Sequence, residues 1–287
     1  MINGSAESPL VWQQHFKYVF GSIPPVNFTG AATMQTLAAL SPAPKTAVVF
    51  GSNDTFSKAT ATAFNSELQR LGIKVLKFNI LPAGQELTPL LSAMKGLRPD
   101  IIAFGGHDEE LINLVKDLRQ IDYTPKALIM HVGVTIPAFM EALKGDANQV
   151  FGGAVWTEST PTSGQILWKN SQAYAAAAQK AFGVGSDYTQ AGCSAAGIAF
   201  MEAVKKASAV PPITEGKRDE LVGVLESLDL QTFYGRVKFA TEGEYYHSNV
   251  GLKPLTVQIQ SGKVMTVGPS AVADAKAQYP MTPWANR

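Results

Sequence analysis

The chain has 287 residues, 46% of them hydrophobic and 16% charged, with a formal net charge of +1. That length supports one large domain or two smaller lobes with their own cores, and the near-neutral balance supplies no basic face for nucleic acid or an anionic membrane. One cysteine, Cys193, excludes an internal disulfide framework and a cysteine-built zinc site.

In chain order, "MIN" reads as a short strand, followed by the loop of "MINGSAESPL". This opening has neither the basic nor the apolar region of a secretory signal, so no export signal is expected in the chain as written. The loop "SIPPVNF" leads to a helix near Gly30 to Leu40. From Lys45 to Trp156, short β-rich runs alternate with helical stretches. "TAVVF" precedes a helix from Asp54 to Leu71, "KVLKFNI" one from Glu86 to Leu97, and "DIIAF" one from His107 to Ile121. "ALIM" then precedes a helix from Thr135 to Leu143, and "VFGGAVW" closes the series. Such alternation predicts βαβ units and a parallel sheet covered on both faces. Ser52, Asn53 or Asp54 can cap the first of these helices, and Gly72 follows it where a left-handed stop is expected. In the third, Leu111, Ile112, Leu114, Val115 and Leu118 form one apolar stripe.

The remainder predicts helices over 165–182, 187–207 and 215–228, a short strand at "GRVKF", and a hairpin in "LTVQIQSGKVMTVG" turning at Ser261-Gly262. These helices have few parallel strands to cover, so the sheet of their lobe looks incomplete. The runs also lack a phosphate cradle, a cofactor glycine pattern and a G-x-S-x-G elbow, and no apolar run is long enough to span a bilayer.

In order along the chain, "VFGSNDTFSKATATAF", "DIIAFGGHDEELINLVKDLRQIDYTPKAL", "TIPAFMEALKGDANQVFGGAVW", "DYTQAGCSAAGIAFMEAV", "LDLQTFYGRVKFATEG" and the tail "YPMTPWANR" resemble the type I periplasmic solute-binding proteins of ABC importers. Within them, the leucine/branched-chain amino acid branch is the one matched. The resemblance implies a two-lobed α/β fold with doubly wound parallel sheets. Lobe 1 would comprise residues 1–27 and 162–250, lobe 2 residues 28–161 and 251–275, with 276–287 a C-terminal tail. "MINGSAESPL" resembles the fourth strand of the family's first lobe and the loop behind it, so lobe 1 is expected to lack its front. The uncovered helix face of Ile198, Phe200, Met201 and Val204 would then favour self-association or loose order.

Ligands of open α/β sheets bind beyond the carboxyl ends of the strands, where strand order reverses. By resemblance, two such rims face a cleft that closes on the solute. His107 and Asp108 stand at a ligand-contacting position behind Gly105-Gly106, whose bare backbone can approach the cleft. Asp108, Glu109 and Glu110 also read as first-turn acids favoured by the helix dipole, and His107 can equally serve as the helix start. His131 ends the next strand, at the cleft or simply satisfied at a strand end, and Val132 occupies the place of the acid that holds the ligand's ammonium in leucine-type relatives. Phe56 matches the family's stacking aromatic, or is a first-turn core residue near Phe64. Trp156 and Thr157 close over a ligand or pack the lobe crossing.

On lobe 1, Ser5, Ala6 and Glu7 match the loop that contacts the ligand's carboxylate, unless that loop is merely exposed, and a carboxylate at Glu7 would repel an acidic solute. Tyr188 and Gln190 open an alanine-rich helix at the cleft side, or serve as core and cap. No metal is expected, because His107 has no partner at i+4 and only His131 nearby. No cofactor and no catalysis are expected.

The resemblance thus implies the solute-binding component of an ABC transporter. It would hold an amino acid or a related carboxylate or amide, and a permease would be its partner. Its place would be periplasmic if exported and cytoplasmic if Met1 is the true start. The alternatives are a cytoplasmic ligand sensor or a binding-impaired paralogue of the same fold.

Overall fold

A computed structural model describes residues 1–82 and 84–287. In chain order the strands are β1 (Ile2–Asn3), β2 (Phe20–Gly21), β3 (Thr46–Ser52), β4 (Lys74–Leu81), β5 (Ile101–Gly105), β6 (Ala127–His131), β7 (Phe151–Ala154), β8 (Leu230–Thr232), β9 (Gly235–Val237), β10 (Leu255–Gln260) and β11 (Lys263–Gly268). The helices are α1 (Pro9–Trp12), α2 (Val26–Ala38), α3 (Thr55–Arg70), α4 (Thr88–Lys95), α5 (Asp108–Gln120), α6 (Pro137–Leu143), α7 (Ser171–Phe182), α8 (Tyr188–Lys206) and α9 (Glu215–Glu226). Two compact units result, one of Met1–Pro25 with Val155–Lys253 and one of Val26–Ala154 with Pro254–Arg287.

The second unit is built on a sheet ordered β11-β10-β7-β6-β5-β3-β4. Strands β4, β3, β5, β6 and β7 pair in parallel, and the β10–β11 hairpin adds antiparallel to β7. The hairpin turns through Ser261 and Gly262, both at positive φ (51° and 73°), the twist a two-residue turn needs. Because side chains alternate across a strand, β3 feeds two cores. Ala47 and Val49 join Met34 of α2 and Ala61, Phe64 and Leu68 of α3. Val48 and Phe50 join Leu91 and Met94 of α4 with Leu111, Leu114, Val115 and Leu118 of α5. Both faces are thus covered, as the near-continuous apolar strands required. Met281 and Trp284, near the end of the chain, join the second of these cores.

Helix α3 lies unusually close to the sheet. A Cβ at Gly105 would stand 2.7 Å from the Ser57 carbonyl oxygen and 2.8 Å from the Thr60 Cβ, and one at Gly51 would stand 2.6 Å from the Ala61 Cβ. Gly106 has its own reason, since a Cβ there would meet the Phe104 ring at 2.5 Å and Glu110 Oε2 at 2.9 Å. The glycine pair therefore serves packing.

In the first unit, β1 and β2 make a two-stranded parallel sheet and β8–β9 a hairpin. Helix α8 and the chain just after strand β1 meet because Gly192 has no side chain: a Cβ there would lie 2.4 Å from the Gly4 carbonyl oxygen. A ring cluster of Trp156, Trp168, Tyr174, Phe233 and Tyr234 forms much of the remaining core, with Tyr174 stacked on Phe233 at 4.0 Å.

Several expected elements shift. Helix α7 begins only at Ser171, capped by the Asn170 side chain on the Ala173 amide, and 165–170 is irregular. Helix α2 begins at Val26, directly after Pro24-Pro25, where a loop was expected. Strands β2 and β8, and the short α1, were not anticipated. The exposed face expected on α8 is corrected in part: Ile198 is buried, Met201 and Val204 are half-buried, and Phe200 remains exposed.

Gly105→Ala should destabilise the chain by roughly 1–3 kcal/mol, since the methyl must displace α3 backbone. Gly223→Ala, on an exposed face of α9 with open space around it, should stabilise it by about 0.5–1 kcal/mol. Urea unfolding of both variants checks this, and equal effects would contradict the packing assigned to Gly105.

Candidate functional site

The chain runs from β3 to β4 on one side of β3 and then to β5 on the other. Strand order therefore reverses at β3, and the loops after β3 and β5 flank the crevice that this reversal opens. Asp54 fixes the first loop. Its extended backbone (φ −114°, ψ 168°) precedes α3, and Oδ1 accepts the Phe56 and Ser57 amides, both at 2.9 Å. The cap sets Phe56 on the first turn, half-buried, with its ring centre 5.5 Å from that of His107 and 5.8 Å from that of His131.

The second loop is tied just as firmly. His107 is the N-cap of α5, and Glu110 Oε2 accepts the His107 amide at 3.0 Å. Glu110 Oε1 accepts the Ser52 hydroxyl at 2.5 Å, so this one carboxylate joins the end of β3 to the start of α5. The His107 side chain is exposed and its Nε2 lies 3.6 Å from Asp54 Oδ1. Pairing between β5 and β6 continues into their turns, with the Gly106 amide on the His131 carbonyl (2.9 Å) and the Val132 amide on the Gly106 carbonyl (3.0 Å). Gly133, at φ +116°, permits the turn to pass Asp108, whose Oδ1 would lie 2.5 Å from any Cβ there.

Partial burial works to raise the Asp54 carboxyl, but hydrogen bonds from Ser57 and Phe56 and the His107 ring outweigh it and hold it below the usual carboxylate range. His131 is 1% exposed at the end of β6, and Val132 is half-buried. Of the residues expected on this rim, Phe56, His107 and His131 are thus brought into one aromatic group at the ends of β3, β5 and β6. Asp108 is exposed on the first turn of α5 and lies beside Gly133. Glu109 is exposed, and Glu110 is a structural cap.

Beside this group opens a pocket of about 820 Å³, lined by Ser52, Asp54, Leu81, Phe104 and His107, by Pro82, Gly84, Gln85, Glu86 and Leu87 ahead of α4, and by Glu109, Glu110, Asn113 and Asp117 of α5. Of the expected residues only His107 lines it. The β4–α4 segment, with Glu86, was not singled out from sequence, and it carries no motif that would have marked it. The Glu110 cap was legible, because an acid three residues into a helix is the spacing of a capping box. Among the described residues no group of three or more His, Cys, Asp or Glu could hold a metal ion.

The first unit holds the other expected residues. Beyond the carboxyl end of β1, the Asn3 side chain accepts the Ser5 amide at 2.8 Å and the Ala6 amide at 2.7 Å. Glu7 is 3% exposed and accepts the Tyr188 hydroxyl at 2.7 Å, so it is not part of an exposed loop. Burial first, and the Glu7 carboxylate second, push the Tyr188 phenol well above its usual value, so it stays protonated and donates. Tyr188 is itself buried, and its carbonyl accepts the Tyr234 hydroxyl at 2.8 Å. Gln190 is exposed and completes a capping box with Asp187, whose carboxylate accepts the Thr189 and Gln190 amides at 3.0 and 2.9 Å. Trp156 is buried, its Nε1–H donating to Ser171 Oγ (3.1 Å) and the Phe233 carbonyl (3.2 Å). Thr157 is buried in a local turn, its amide donating to Thr160 Oγ1 at 2.8 Å.

A family model described as periplasmic binding protein matches residues 2–251. The chain belongs to the periplasmic binding protein family. Its fold is that of solved type I binding proteins. A leucine binding protein from Thermotoga maritima superposes with a TM-score of 0.78 at 17% identity, over 93% of this chain and 71% of that one. A solute binding protein of an ABC transporter from R. palustris, in complex with benzoate, gives 0.77 at 16%, over 98% and 73%. The leucine-, isoleucine-, valine-, threonine- and alanine-binding protein of Brucella ovis gives 0.73 at 15%, over 99% and 68%. Members of this family bind solutes and are not enzymes. Among the described residues, no helix is long and apolar enough to cross a membrane.

The lowered Asp54 carboxyl has a consequence for pH. Because its proton affinity falls on folding, it contributes stability above the ordinary carboxylate range, and that contribution is lost as pH drops through the folded value. Asp54→Asn keeps a capping acceptor but not the charge. It should be less stable than the parent by about 0.5 kcal/mol at pH 7, a small figure because the pair with His107 is exposed to solvent. The gap should close below about pH 4. Thermal unfolding from pH 7 to 3 checks this, and a gap that widens on acidification would contradict it.

Proposed function

We propose that the chain is the solute-binding component of an ABC transporter and takes a small organic solute at its strand-end loops. The single observation that carries this reading is the coincidence of a family match over residues 2–251 with an aromatic group at the strand-order reversal. Phe56 and His107 stand at the two turns that flank the crevice, and His131 stands at the next strand end.

The chemistry of this rim suits the apolar or flat part of a solute. Phe56 offers a ring without a hydroxyl, and the exposed His107 imidazole adds a hydrogen-bonding group that accepts or donates according to tautomer. Val132, where leucine-type relatives carry an acid, supplies only an apolar contact. The solved neighbours include proteins in complex with benzoate, with leucine and with 3,4-dihydroxybenzoic acid. A ring or branched aliphatic body is common to those three ligands, and an aromatic rim fits either. A membrane permease is the partner that this role calls for, and the solute is to be released unchanged.

Calorimetric titration of the whole chain with a panel of small aromatic and branched aliphatic amines, amides and carboxylates tests the reading. One solute per chain is expected, and Phe56→Ala should weaken binding about tenfold, equivalent to about 1.4 kcal/mol. Binding of none of these classes, or binding indifferent to Phe56 and to His107→Ala, would contradict it.

A further inference from the structure

The second unit is charged unevenly across its sheet. On the rim side acids follow the strands, with Asp54 after β3, Glu86 after β4 and Asp108 after β5. At the amino ends cations appear: Lys45 and Lys126 immediately precede β3 and β6, and Arg98 stands just ahead of β5. This amino edge lies the length of β5 away from the rim, roughly 15 Å for a strand of that size. A cavity of about 570 Å³ opens there, between the end of α4 and the chain ahead of β5 and β6. Ser92, Lys95, Arg98, Asp100, Thr124 and Lys126 contribute to its lining.

Asp100 is the acid of this lining, and both its oxygens are engaged. Oδ1 pairs with the Lys126 ammonium at 2.7 Å, and Oδ2 accepts the Lys45 and Thr46 amides at 2.7 and 3.3 Å. Asp100 and Lys126 therefore cancel, and the charges of Lys95 and Arg98 are left. Lys95 donates to a neutral group, the Ile121 carbonyl at the end of α5, at 2.7 Å. Arg98 is exposed, and among the described residues its guanidinium has no ion pair and no hydrogen bond.

The walls around these two cations are fixed. Arg98 sits at φ +47°, a conformation that glycine adopts freely and that a side chain resists. Its amide donates to the Lys95 carbonyl at 3.3 Å, and the next residue, Pro99, is buried and accepts the Tyr123 hydroxyl at 3.0 Å. Trp284 ties the facing wall, its amide donating to Thr124 Oγ1 (3.2 Å) and its indole N–H to the Tyr123 carbonyl (2.8 Å). Thr124 receives that hydrogen bond and keeps its own hydroxyl hydrogen to give.

We infer that this cavity is a second binding site, for a phosphate-type dianion, with the Arg98 guanidinium and the Lys95 ammonium carrying the charge and the Ser92 and Thr124 hydroxyls adding donors. Two uncompensated cations match a double negative charge, and a guanidinium presents paired N–H groups to two oxygens at once. The carbonyl ends of α4 and α5 point here and oppose an anion. Lys95 covers one of those carbonyls, and the remaining opposition is why a single negative charge is held poorly. The site goes beyond the solute-binding reading and does not rest on it, because it stands at the other ends of the strands.

Amide NMR spectra of the whole chain test this as chloride is exchanged for inorganic phosphate at fixed ionic strength and about pH 8, where phosphate carries its second charge. Saturable shifts are expected at residues 92–100 and 121–127, and acetate should bind about tenfold more weakly than phosphate. Arg98→Gly removes the guanidinium while relieving the positive φ, so the fold is kept, and phosphate affinity should fall about tenfold. Lys263→Gln, on the β10–β11 hairpin, removes one positive charge far from the cavity lining and should leave the affinity within about twofold. Phosphate binding no tighter than acetate, shifts that fail to saturate or that centre elsewhere, or equal losses in Arg98→Gly and Lys263→Gln would overturn the site. Each of those results would leave solute binding at the rim untouched.

Discussion

Everything in the second unit depends on how closely α3 approaches the sheet. The absence of a side chain at Gly51 and Gly105 lets the Ser57 carbonyl and Ala61 reach β3 and β5. That contact fixes the first turn of α3 relative to both strand ends. Phe56 rides on that turn and meets the rings of His107 and His131. The position of the aromatic rim is therefore a consequence of core packing, and polar ties reinforce it. Asp54 caps α3, Glu110 spans from Ser52 to the His107 amide, and the β5–β6 pairing continues past the strand ends. A rim held in this way is preorganised, which would lower the ordering free energy of the binding proposed there.

The first unit solves a different problem with the same kind of device. Gly192 lets β1 lie on α8, which brings the loop after Asn3 against Tyr188. A buried acid then takes a phenol as its partner, and the phenol's backbone anchors Tyr234 in turn. These hydrogen bonds lie in a low-dielectric surrounding, where each is stronger than in water.

Much of the second unit was legible because its strands are apolar runs bounded by turn signals and its helices carry regular stripes and caps. The stripe from Leu111 to Leu118 is buried as the spacing required. The resemblance reached the family that the comparisons show. Legibility ended where an element is too short to have a period. Strands β2 and β8 have two and three residues, and nothing in "FG" or "LQT" distinguishes them from loop. It ended also where a residue's meaning depends on a distant partner. Nothing local in the sequence says that Ser57 packs above Gly105, and Glu7 looks exposed until Tyr188, 181 residues away, is seen to cover it. Helix-end chemistry was the intermediate case. Asp54, Glu110 and Gln190 sit at spacings that announce caps, and they are caps.

The most direct test of the account is hydrogen exchange of the whole chain with and without a saturating solute. Solute is predicted to slow exchange at the strand-end turns 53–58, 106–109 and 131–134, with little change at the opposite edge of the sheet around Lys45, Asp100 and Lys126. Protection confined to that opposite edge, or to the β10–β11 hairpin, would contradict a binding rim at the strand-order reversal.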